Sequence, residues 1–214
     1  MHEEKHNYHI NGVMIVIATL LVGGILWYLI AFSGDSYTAT PIDVDAGVTS
    51  NTEALYRNTD YGFSLRYDKR FTLPVIATDD TTRYSSQDVG KKLLVLNIPR
   101  DMFPNTNFSE GIISVWGSEE TKSVQNCLVA AEGETEKPSN NNLFTLFTST
   151  DAGAGNFYEI SSYRTIQNGA CIVIDKVIHS TNIGNYDEGA QVTEFDRSAV
   201  NAILDRVVES FHFN

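Results

Sequence analysis

The sequence predicts an α+β domain, its helices covering an antiparallel sheet, carried behind one N-terminal membrane span. Three observations lead there. The first is Val13 to Phe32, VMIVIATLLVGGILWYLIAF, 20 consecutive residues without a charge. The second is a series of short apolar runs from Leu55 to Thr181, with the period of two that marks half-buried strands and with turn residues between them. The third is the closing DRSAVNAILDRVVESFHF, in which Val200, Ile203, Leu204, Val207, Val208 and Phe211 recur at helical spacing.

An apolar helix of the first kind is ~30 Å long, which matches the hydrocarbon of a bilayer, and it satisfies its backbone donors internally. Residues 1–12 are then a tail, 13–33 a transmembrane helix, 34–54 a linker and 55–214 the folded domain. About 160 residues is a common size for one domain with its own core. Lys5 precedes the span and no Lys or Arg follows it until Arg57, so the tail is expected in the cytoplasm and the domain outside. The run is longer than the apolar region of a signal peptide, and Tyr37-Thr38-Ala39 is a poor cleavage site, so the anchor is expected to stay uncleaved. No cysteine stands at its end, which excludes a lipoprotein-type attachment. Thr19 and Gly23 have the spacing of a helix-dimer contact, but both residue types are common in such spans. His2, His6 and His9 are read as part of a polar tail rather than as a metal site.

The linker is rich in Ser, Thr, Asp and Gly and has no sustained apolar period, as expected of a tether. The whole chain carries Asp+Glu 27 against Lys+Arg 15, a net charge of −12. Nucleic acid and anionic lipid both call for a basic face, so neither is expected as a partner of the domain.

Within the domain, Asp60-Tyr61-Gly62 makes a turn before the alternation Phe63, Leu65, Tyr67. KLLVLNIP (Lys92 to Pro99) and GIISVW (Gly111 to Trp116) are the next strands, with Pro104-Asn105-Thr106-Asn107 between them. Ser118 ahead of Glu119 and Glu120 predicts a capped helix over Glu119 to Ala131, which places Cys127 on the inward face with Val124. Three runs follow: LFTLFTST, NFYEISSYRTIQ and ACIVIDKVIHST. The first two are joined by Asp151 to Gly155 and the last two by Asn168-Gly169, a strong hairpin signal. They predict an antiparallel meander, and Asp196 is placed to cap the closing helix.

The opening YRNTDYGFSLRYDKRFTL resembles the first hairpin of the PsbP and Mog1-like superfamily, an aromatic, a Tyr-Gly-Phe turn and a strand ending in Tyr-Pro, with Asp68 in the place of that proline. The closing helix running into Phe211-His212-Phe213 is similar to the family's last helix and final aromatic pair. The resemblance implies an αβα-layered sandwich used as a binding or assembly module, with no catalytic set. No cofactor is expected.

Cys127 and Cys171 are the only cysteines, and an extracytoplasmic domain lies in an oxidising compartment. They are either bridged or both buried as small apolar residues; the compartment favours the bridge. A Ser-His-acid hydrolase is not legible: no G-x-S-x-G occurs, and Asp175 with His179 reads as the surface face of a strand, about 13 Å apart by the usual rise. Tyr186-Asp187-Glu188-Gly189 with Glu194 and Asp196 gathers carboxylates in one loop, but without the D-x-D-x-D-G order of a calcium loop it reads as a solvated loop. Gly153-Ala154-Gly155-Asn156 is a hairpin connection rather than a phosphate cradle, because no helix follows it. Three function classes remain. The first is a non-enzymatic interaction domain on a single-pass anchor, partnered by membrane lipid through residues 13–33 and by another envelope protein. The second is a ligand or calcium sensor or carrier, and the third an envelope hydrolase with an unrecognised site.

Overall fold

A computed structural model describes residues 52–74, 90–139, 143–187 and 189–214, which belong to one compact unit. The predicted span, and the linker up to residue 51, lie outside the described residues. Among the described residues no helix is long and apolar enough to cross a membrane.

The unit is mostly antiparallel sheet with few helices. β1 (Glu53–Asn58) begins two residues ahead of the Leu55 boundary read from the sequence and pairs with β2 (Phe63–Asp68) through the predicted turn, where Gly62 has φ 62°. A second sheet has the order β3-β4-β8-β7-β6-β5, built from β3 (Lys91–Ile98), β4 (Phe108–Ser118), β5 (Thr135–Lys137), β6 (Thr145–Gly153), β7 (Asn156–Gln167) and β8 (Ala170–Thr181). β6, β7 and β8 form the predicted meander. The turns are two residues each: Ala154 and Gly155 at φ 49° and 78°, Asn168 and Gly169 at 51° and 81°. Left-handed pairs of this kind match the twist of the strands they join. The run from Asp151 to Gly153, read as loop, is the end of β6.

Strand β8 lies between β4 and β7 and is buried on both faces, which explains its nearly continuous apolar run. Ile172, Ile174 and Ile178 face the main core, built with Phe63, Leu65, Leu96, Ile98 and Ile113. α2 (Arg197–Glu209) closes that core with Val200, Leu204, Val207 and Val208, and Asp196 accepts from the Ala199 N–H as the predicted cap. Gly111 lets the helix lie close to β4: a Cβ there would come 3.4 Å from Leu204 Cδ1.

Three expectations are corrected. The helix predicted over Glu119 to Ala131 is only α1 (Thr121–Asn126), and Ser118 is not its cap but the last residue of β4, paired with Cys171. Beyond Cys127 the backbone leaves the helix, and the Val129 carbonyl accepts from Arg164 Nη1. The closing helix stops at Glu209. His212–Phe213 instead form β9, which pairs with Phe63 and Ser64 and completes a separate three-stranded sheet of order β1-β2-β9. Phe211 stacks on Phe63 with ring centroids 4.9 Å apart, so an apolar contact with β2 outweighs one more helical turn. Finally, the layering is uneven: α2 covers one face of the large sheet, while among the described residues only short α1 and the segment after it cover the other, where the resemblance implies full helical layers.

Four tyrosines in this packing resist ionisation. Burial, with Asp205 and Glu209 nearby, pushes Tyr163 up to about 12 from its ordinary 10.0, and burial also raises Tyr56, Tyr61 and Tyr67. Below pH about 10 the phenols are neutral in folded and unfolded chains alike. Above it the unfolded chain ionises first, so stability should fall as pH rises towards about 12. Urea midpoints measured across that window should fall less steeply in Tyr163→Phe than in the wild type.

Candidate functional site

The two cysteines that the sequence singled out are joined. Cys127 and Cys171 form a disulfide with Cα atoms 5.8 Å apart, and Cys127 lies wholly buried against Trp116 and Val173, on the inward face that its spacing predicted. The bridge fastens α1 and the loop after it to the sheet.

A second clasp lies next to it and was not legible as a site. Arg164 on β7 is fully buried. Its Nε donates to Ser162 Oγ at 3.0 Å, its Nη1 to the Val129 carbonyl at 3.1 Å, and its Nη2 pairs with Glu134, while the guanidinium lies 4.4 Å over the Phe147 ring. Ser162 in turn donates to Asp175 Oδ1 at 2.7 Å. Glu134 also accepts from the Ala131 N–H, so the carboxylate shapes the turn that presents it. The signal that flags such a residue is parity: Arg164 shares its strand face with inward Ile160 and Ser162, and an inward charge needs partners.

This network corrects the reading of Asp175. The residue is 1% exposed, not on a surface face, because α1 and the loop after it cover this end of the sheet. It does not partner His179. That ring stacks on Tyr158 with centroids 4.4 Å apart and sets its nitrogens 3.3 Å from Glu110 and 2.9 Å from Asn156 Oδ1.

The fold does assemble one serine–histidine contact. Ser64 Oγ lies 2.9 Å from His212 Nε2 and 2.7 Å from Asn214 Oδ1, and His212 Nδ1 donates to the Ser210 carbonyl. Ser64 is 1% exposed and is the second residue of β2. Its hydroxyl serves to join β2 to the end of the chain. In the acidic loop, Asp196 is committed to the helix cap, and among the described residues no three His, Cys, Asp or Glu side chains are grouped to hold a metal ion.

An open cleft of about 600 Å³ lies at the opposite end of the large sheet from the disulfide. Phe157, second residue of β7 and 44% exposed, forms one wall with Ile183 from the turn after β8. Phe195 and Arg197, on either side of the helix cap, form the other, and Glu194 lines the same space. Asn107 holds the floor. Its Nδ2 donates to the Thr181 carbonyl at 2.7 Å, its Oδ1 accepts from the Phe195 N–H at 3.0 Å, and its backbone joins Thr193 and Thr181. With every polar group of Asn107 engaged, three distant segments are fixed around one residue. Arg197 pairs with Glu159 at 3.0 Å and lies over the Phe195 ring. Nothing in the sequence signals the cleft, since its lining comes from segments far apart along the chain that share no period.

No protein-family model matches this chain, and no curated protein sequence matches it. It is similar to solved structures. The solution structure of cyanobacterial PsbP from Synechocystis is 13% identical, with 81% of this chain and 99% of that one covered and a TM-score of 0.41. The Saccharomyces cerevisiae Ran-binding protein Mog1p is 15% identical over 77% of this chain and 96% of that one, with a TM-score of 0.37. A Bacteroides thetaiotaomicron protein is 8% identical over 75% of this chain, at 0.37, and the match spans about half, 48%, of its length. The first two are of the kinds that the opening and closing motifs resemble.

Proposed function

We propose that this chain is a binding or assembly module without catalytic activity, held outside a membrane by residues 13–33, with residues 1–12 in the cytoplasm and the acidic linker as a tether. Its partner is another protein of the envelope. One observation carries the reading: Phe157 stands 44% exposed at an open cleft beside Asn107, whose hydrogen bonds hold three segments in place, so a partner's apolar side chain can be buried there with little reordering of the domain. The resemblance of the opening hairpin and the closing aromatic pair to PsbP and Mog1-like domains supports it.

Two results test the reading together. Protease added to cells with a permeabilised outer envelope should remove the domain, whereas protection until the inner membrane is lysed would reverse the topology. Residues 52–214 expressed alone, which keep β1 intact, should be soluble and melt in one cooperative transition. Aggregation of that fragment, with the full chain folded in detergent, would misplace the domain boundary.

A further inference from the structure

The cleft carries more than exposure: it is lined by one charge of each sign, and the two differ in what they already hold. Of its two charged side chains, Arg197 is already paired with Glu159, while among the described residues no cation pairs with Glu194. Asp196, between Phe195 and Arg197, has its oxygen on the Ala199 N–H. An aromatic ring, an aliphatic side chain and an unneutralised carboxylate thus face one open space. A lysine or arginine fits all three at once: its methylene stem covers apolar surface, its cation is attracted to the face of an aromatic ring, and its head reaches a carboxylate. The net charge of −12 opposes a second copy of this chain as occupant, and it opposes an anionic lipid surface equally.

We propose that the cleft docks a cationic segment of a partner protein, with a lysine or arginine stem lying along Phe157 and Ile183 and its charge on Glu194. The assignment rests on the reading of the domain as a binding module and names the class of partner for it. Arg197 then keeps Glu159 from competing for the incoming cation. The rigid floor at Asn107 means that binding orders little of the domain itself.

The test uses the full chain in detergent micelles and two fluorescein-labelled dodecapeptides, four repeats of Arg-Leu-Ser and four of Glu-Leu-Ser. The arginine peptide should bind and the glutamate peptide should not. Glu194→Arg and Phe157→Ser should each weaken binding about tenfold. Glu132→Arg makes the same change of charge in the loop after α1, at the other end of the sheet, and should change it less than about twofold. Equal losses from Glu194→Arg and Glu132→Arg would mean attraction to overall charge and would overturn the proposal. A photo-crosslinking residue in membranes separates this failure from that of the parent reading. Crosslinks to another protein from Leu128, exposed just after α1, but not from Phe157 would keep the binding module and overturn the cleft as its site, and crosslinks from Phe157 to a second copy of this chain would replace the cationic partner with self-association.

Discussion

Replacing Arg164 with leucine should cost the domain about 3–5 kcal/mol, because it leaves the buried Glu134 carboxylate facing an apolar side chain. For a domain of this length that corresponds to a fall of about 6–20 °C in melting temperature by calorimetry. The magnitude follows from burial: the side chains of both partners are almost entirely shielded from water, so neither charge regains a hydration shell when the other is removed. Removing both is a different experiment. Arg164→Leu combined with Glu134→Leu should recover much of the loss, since taking two charges out of a dry site removes two desolvation penalties with one attraction. A loss below about 1 kcal/mol for Arg164→Leu alone, the scale of an exposed pair, would show that water reaches the clasp.

Loss of the disulfide is the second large effect. On the chain-entropy model, closing the 44-residue separation between Cys127 and Cys171 is worth ~4 kcal/mol, within the ~2–5 kcal/mol typical of native bridges. Cys127→Ser should lower stability by about as much as a reductant lowers that of the wild type, and non-reducing peptide mapping of membrane-derived material should recover the linked pair. Two free thiols in that material would remove the bridge from the account. The disulfide and the Arg164 clasp fasten the same segment, at Cys127 and at Val129 with Glu134, so their losses should not add. Once one is gone, the loop frays and the other holds less; the double variant should therefore lose less than the sum of the singles.

Much of the secondary structure was legible because it is local. The alternation Phe63, Leu65, Tyr67 announces β2 on its own, Asn168-Gly169 supplies the left-handed pair that a two-residue hairpin needs, and Asp196 caps the helix whose apolar stripe follows it. The inward placement of Cys127 followed from spacing as well, although most of the helix expected to carry it is absent. Each of these choices is decided among residues a few positions apart, where backbone sterics and periodicity act directly.

What the sequence determined by itself is therefore the strands β2, β3, β4, β6, β7 and β8, the meander order of the last three, the start and cap of α2, and an apolar run of a length to cross a bilayer. Tertiary structure decided what joins them. Ser64 meets Asn214 across 150 residues, beside β9, where a helix end was predicted, and Asn107 meets Phe195 across 88, at the cleft. Arg164 meets Glu134 across 30, in the loop beyond the end of the predicted helix. The physical reason is common to all three: a buried polar group takes whichever partner the packed chain brings within hydrogen-bond distance, and no local period records that distance.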